Sequence, residues 1–227
     1  MGKYQLDDKG KAQVQRFHEK HSTGGINKKD QVASLREQFL KRLRKNKSES
    51  PLSLFSYGEV KMELRRPTLA DKETVLDMMA EFEANQSAHD GGFWDAENFV
   101  YEEWLESNQN HEMGINLPEG WVPDIQLVAF SRDGQAVGFL NLRLRLSDYL
   151  LEVGGHIGYS IRPSARGQGL AKEQLRQGLQ VAKSKNIKRA LVTCDSDNAA
   201  SRAVILTNGG ALEDVRGGKE RYWIDLD

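Results

Sequence analysis

The chain has 227 residues, 38% of them hydrophobic and 29% charged, and a formal net charge of −1. That length suits one catalytic domain with a small appendage, and the composition describes a soluble globular protein. No apolar run approaches the roughly 18 residues of a membrane-spanning helix. Residues 1–10 lack the apolar core of a secretory signal. The single cysteine, Cys194, excludes an intrachain disulfide and fits a reducing cytoplasmic setting.

The near-neutral total hides an asymmetry. Residues 1–57 hold 13 Lys/Arg against 6 Asp/Glu, a charge of +7, so the remainder carries −8. Residues 12–21 and 28–45 read as two helices about Gly24-Gly25. Val32, Leu35, Phe39 and Leu43 give the second an apolar stripe, and Asn27 is its N-cap. Residues 1–50 are therefore expected to form a basic helical hairpin. Gly25-Ile26-Asn27 followed by Leu35-Arg36-Glu37-Gln38-Phe39-Leu40 resembles a family of short bacterial hairpin proteins, which brings no activity with it. The run from Lys41 to Lys47 reads as a solvated helix end rather than a nucleic-acid contact, since no base-reading pattern accompanies it. Residues 51–61, with Pro51, Ser53 and Ser56, form the linker.

The second domain, 62–227, opens with a strand over 60–65, stopped by Pro67. Thr68-Leu69-Ala70-Asp71 reads as an acidic capping box. Val75, Met78, Met79 and Phe82 then mark an amphipathic helix. Residues 88–124 have weak periodicity, with one helix expected over 96–107. Residues 125–131 and 136–146 form a hairpin on the Asp133-Gly134 signal. A strand over 150–161 follows, then a helix over 170–184 and a strand over 189–194. A helix over 198–208 and a final hairpin turning at Gly217-Gly218 complete the chain. This order implies a mixed α/β sheet with helices on both faces. Cys194, in a buried-strand pattern, reads as a small core residue. Asp195 and Asp197 have no partner ligands in view, so they read as loop caps and no metal is expected.

Within this order one junction carries chemistry. A strand ends at Ile161-Arg162-Pro163, a loop holds Gly167 and Gly169, and a helix begins. Backbone N–H groups at such a helix start, with room above a glycine, make an oxyanion cradle. Arg166 adds a positive charge. A dinucleotide fold would need G-x-G-x-x-G and a Walker loop G-K-[ST]; neither is present. The residues Arg166-Gly167-Gln168-Gly169-Leu170-Ala171 read R-x-x-G-x-A. They resemble the pyrophosphate loop of the GNAT superfamily of acyl-CoA-dependent N-acetyltransferases, and the branch most similar is one of bacterial acetyltransferases with unassigned substrates. Asp195, Asn198, Ser201, Asn208, Gly209 and Gly210 extend the resemblance.

What the resemblance implies is specific. The fold is a mostly antiparallel sheet whose central strands splay to admit pantetheine, and acetyl-CoA is the co-substrate. Backbone groups of Tyr159, Ile161 and Arg162 hold the thioester and pantetheine. Arg166, Gly167, Gln168, Gly169, Leu170, Ala171 and Lys172 hold the pyrophosphate. Asn198 and Ser201 lie at the next helix start, where Asn198 meets the pantetheine arm. His156 is the expected general base, because its ordinary pKa suits proton acceptance near neutrality. Glu152 is the second candidate. The tyrosine that relatives use as acid is replaced by Ile205, which leaves Tyr159, Tyr101 or solvent.

The acceptor is expected to be an amine, carried by a small molecule or a lysine side chain. Residues 89–124 contain nine Asp/Glu, six Phe/Tyr/Trp and no Lys or Arg. A wall of carboxylates and aromatic faces favours a cationic acceptor, such as a polyamine or an aminoglycoside-like compound. The alternative is a solvated acidic face, or one that docks the +7 segment. A CoA-binding regulatory module without turnover is the second functional reading. No membrane partner is expected, and a homodimer is left open.

Overall fold

The computed structural model describes residues 62–226. The expected hairpin over 1–50 and the linker over 51–61 lie outside the described residues. The elements run β1 (Glu63–Arg65), α1 (Lys72–Ala84), α2 (Tyr101–Glu112), β2 (Asp124–Phe130), β3 (Ala136–Arg143) and β4 (Ile157–Ile161). Then come α3 (Leu170–Ser184), β5 (Arg189–Asp195), α4 (Ala199–Thr207), β6 (Ala211–Arg216) and β7 (Lys219–Asp225). One seven-stranded sheet has the order β1-β2-β3-β4-β5-β7-β6, antiparallel except between β4 and β5. This is the mixed α/β sheet of the GNAT fold.

Both faces of the sheet are covered. Val75, Met78, Met79 and Phe82 of α1, with Tyr101 and Trp104 of α2, pack on Val128, Phe130, Ala136 and Phe139. Leu170, Leu175, Leu179 and Ala182 of α3, with Val204 and Ile205 of α4, pack on the opposite face against Ile125, Leu127, Leu140 and Ile157. Every residue of β2 and β3 is buried. That explains their near-continuous apolar sequences, since a strand covered on both sides needs no polar alternation. Burying each Val, Leu, Ile or Phe side chain among them stabilises the fold by roughly 1.5–3 kcal/mol relative to exposure.

Caps and ion pairs fix the approach to α1. The Asp71 carboxylate accepts from the Thr68 N–H at 2.7 Å and takes a two-point contact from Arg65 at 2.7 Å. The Arg65 guanidinium holds the Asp71 pKa down at about 2, with burial opposing and Thr68 assisting.

Two expected elements are placed differently. The helix of the weakly periodic stretch begins at Tyr101 rather than Ala96, because residues 89–98 form an ordered loop instead. The expected strand over 150–161 is divided. Leu150–Gly154 forms one wide helical turn, and the strand starts only at Ile157. Arg143 donates to the carbonyls of Gly154 (3.0 Å) and Gly155 (3.4 Å), which fixes that turn against β3.

Candidate active site

β4 and β5 share a single register pair, Ile157 with Val192, and part beyond it. The direction of the main chain on β4 decides what faces the resulting gap. The Arg143 N–H donates to the His156 carbonyl at 2.8 Å, and the Arg162 N–H to the Val137 carbonyl at 2.9 Å. Bonded pairs alternate along an antiparallel ladder. Gly158 and Ser160 therefore also turn their main-chain groups to β3. Tyr159 and Ile161 turn theirs to the gap.

The cradle lies at the end of β4. Gly167 and Gly169 have φ of +76° and +79°, and a Cβ on either would meet nothing within 4 Å. The pair is thus both left-handed and open to a ligand. Gly169 caps α3 without any side-chain hydrogen bond. The Leu170 and Ala171 N–H groups at the start of α3 have no carbonyl one turn back. A 15-residue helix adds its dipole there. Arg166 is used as a brace: its Nε donates to the Ile161 carbonyl (2.9 Å) and its other arm to Ser87 Oγ (2.6 Å). Lys172 closes the first turn, its N–H donating to the Gly169 carbonyl at 3.1 Å.

Arg162 lies beside the cradle but is fully engaged elsewhere. Its guanidinium binds Glu81 (Nε to Oε2, 2.6 Å), Asp77 (2.8 Å) and the Ala136 carbonyl (3.1 Å). With its N–H given to Val137, this residue ties α1 to the end of β4. Glu81 also accepts from the N–H (2.6 Å) and hydroxyl (2.9 Å) of Ser164. One α1 carboxylate therefore positions the whole start of the loop, a role that nothing in the local spacing signals.

Asn198 and Ser201 flank the gap from α4. Asn198 Oδ1 accepts from the Ser201 N–H at 2.9 Å, an N-cap. Tyr159 OH and Ser201 Oγ are 2.8 Å apart. Burial pushes the Tyr159 hydroxyl up to about 12, so it holds its proton throughout the neutral range. Ile205, one turn further along α4, is wholly buried.

The two expected bases occupy other surroundings. His156 is 7% exposed, and its Nδ1 accepts from the Leu191 N–H at 2.9 Å. Its ring meets Trp223 edge-on at 6.4 Å. Burial, reinforced by the Arg143 charge, pushes its pKa down to about 4. An imidazole whose acceptor nitrogen is already bonded and whose cation is disfavoured is poorly suited to receive a proton. Glu152 pairs with Arg216 of β6 at 2.5 Å. Tyr101 donates to the Thr68 carbonyl at 2.8 Å in the core under α2, away from the gap. Burial pushes the Cys194 thiol up to about 11, so it is a protonated core residue at neutral pH.

The acidic stretch divides in two. Glu112 pairs with Arg66 (2.6 Å) and Lys185 (3.2 Å), Glu102 with Lys72 (2.5 Å), and Asp124 faces His111 (3.5 Å). Tyr101 and Trp104 are core residues. Asp90, Asp95, Glu97, Glu103, Glu106 and Glu119 are exposed and pair with no cation among the described residues. No group of side chains suited to a metal ion occurs among the described residues. No helix among them is long and apolar enough to cross a membrane.

The acetyltransferase (GNAT) domain family matches residues 61–211. No curated protein matches. Among solved structures, the ribosomal-protein-S5-alanine acetyltransferase from Vibrio fischeri is similar at TM-score 0.55 and 15% identity, over 77% of this chain and 98% of that one. The acetyltransferase from Salmonella typhimurium that modifies the N-terminal serine of ribosomal protein L7/L12 is similar at 0.50 and 18%, over 74% and 97%. The microcin C7 self-immunity acetyltransferase, in complex with acetyl-CoA and AMP, is similar at 0.52 and 18%, over 74% and 93%. With the parted strands, the open cradle and the family match in agreement, the chain belongs to the GNAT acetyltransferases and is an acetyl-CoA-dependent acyltransferase.

Proposed function

We propose that the enzyme moves an acetyl group from acetyl-CoA to a primary amine on a cationic acceptor, by direct attack in a ternary complex. The observation that carries this reading is the β4–β5 gap with the open cradle at its end. The main chain of Gly167–Ala171 takes the pyrophosphate. The Tyr159 and Ile161 main-chain groups lie along the pantetheine, with Asn198 at its other side. The Tyr159 N–H donates to the thioester oxygen, where charge develops as the amine attacks. Tyr159 OH, steadied by Ser201, returns a proton to the departing sulfur. The protonated, buried Cys194 supports direct attack rather than an acyl-enzyme.

The cationic character of the acceptor rests on the unpaired carboxylates of residues 90–119. The deciding experiment measures thiol release from acetyl-CoA across a panel of amines. Faster release with diamines and lysine-like amines than with anionic amino acids is expected. CoA binding by calorimetry with no turnover on any amine would instead favour a regulatory CoA-binding module.

A further inference from the structure

With His156 enclosed and Glu152 paired to Arg216, the amine still needs a proton acceptor beside β4. The loop between α1 and α2 supplies one. Gly91, at φ +79°, lies against β4 so closely that a Cβ on it would stand 2.2 Å from the Gly158 oxygen and 3.0 Å from the Tyr159 nitrogen. Tyr159 N–H is the donor that faces the gap. The loop is fixed from several sides. The buried amide of Gln126 donates to the Gly91 carbonyl at 2.8 Å. The Gly92 N–H donates to the His89 carbonyl at 2.9 Å, and the His89 ring stacks on Trp94 at 3.7 Å.

Asp90 immediately precedes this contact. It is exposed, and among the described residues it makes no hydrogen bond or ion pair. Other carboxylates around β4 are committed: Asp77 and Glu81 to Arg162, Glu152 to Arg216, Glu220 to Arg202. We propose that Asp90 is the catalytic base, the carboxylate that takes the proton shed by the attacking amine. The proposal rests on the amine-acetylation reading above. Its charge reaches the Tyr159 hydroxyl and helps to keep that group protonated. As the nitrogen–carbon bond forms and the carbon–sulfur bond breaks, Asp90 gains a proton and Tyr159 gives one to the sulfur. The products are the N-acetylamine and the CoA thiol.

The test uses the full chain with acetyl-CoA and the best amine of the panel. Asp90→Asn should lower kcat about 100-fold, the scale of a general base, with CoA affinity by calorimetry unchanged. Formate added to Asp90→Ala should restore part of the rate, a gain that a purely structural role would not give. An active parent whose Asp90→Asn variant keeps its kcat overturns the assignment of Asp90 alone. So does an Asp90→Ala variant that loses both rate and CoA affinity and gains nothing from formate. A parent that binds CoA but acetylates no amine overturns the amine-acetylation reading itself, and Asp90 with it.

Discussion

The Tyr159 hydroxyl stands 2.8 Å from Ser201 Oγ, one helical turn before Ile205 on α4. A strand residue thus brings a phenol to the helix face that carries Ile205, where the resemblance leads one to expect a tyrosine acid. Tyr159→Phe should lower kcat roughly 10- to 100-fold and leave the CoA dissociation constant unchanged. The hydroxyl pKa is raised to about 12, so its proton is lost only near that pH. The parent rate should therefore show no fall due to this group between pH 8 and 10, to be read from a pH–rate profile.

Gly169 separates two requirements of the cradle. Its φ of +79° disfavours most side chains, while the space above it is open. Asparagine tolerates the left-handed conformation and carries no charge. Gly169→Asn should bind CoA within about tenfold of the parent. Gly169→Asp places a carboxylate at the helix start beside the pyrophosphate and should abolish binding. Calorimetry with CoA distinguishes them, and circular dichroism should show both folded.

His156 should affect stability rather than proton transfer. Its pKa is depressed from about 6.5 to about 4, so the unfolded chain takes up its proton first as pH falls. The associated stability is fully present above pH 6.5 and is lost between there and pH 4. The size is on the order of 3 kcal/mol. His156→Ala removes the Leu191 hydrogen bond, should lower the melting temperature at pH 7.5, and should flatten the acid loss of stability. Thermal unfolding at pH 7.5 and pH 4.5 reads both effects. A pH–rate profile that loses a limb near neutrality in this variant would return the catalytic role to His156.

Salt tests the acceptor. If the unpaired carboxylates of residues 90–119 draw in a cationic amine, its KM should rise steeply with ionic strength. The KM of acetyl-CoA should change much less. Preference for an anionic or neutral amine in the same assay would contradict the cationic reading.

Much of the frame was legible because its signals are local. α3 begins and ends where the glycine loop and the Leu175, Leu179, Ala182 stripe indicate. The final hairpin turns at Gly217-Gly218 as its composition requires. What escaped is what depends on the far ends of the chain meeting. His156 has an ordinary strand sequence around it, and Leu191 and Trp223, brought in by β5 and β7, help to enclose it. Arg162 sits in the expected loop motif, yet Asp77 and Glu81, some 80 residues earlier, take its charge. The loop over residues 89–98 has no periodicity to read, since its order comes from turns and ring stacking within it and from Gln126 and β4 beside it.

The loop over residues 87–94 is held at two points. Ser87 receives Arg166 from the glycine loop before α3, and Gly91 rests on β4 beside the Tyr159 nitrogen. On the function proposed above, this loop joins the donor and acceptor halves, and binding at one should be felt at the other. Such coupling is reciprocal at equilibrium. Acetyl-CoA should tighten acceptor binding by the same factor as the acceptor tightens acetyl-CoA. In initial-rate kinetics the apparent KM of each substrate should then fall as the other is raised. Ser87→Ala, which cuts the link to Arg166, should weaken that mutual tightening while both substrates still bind.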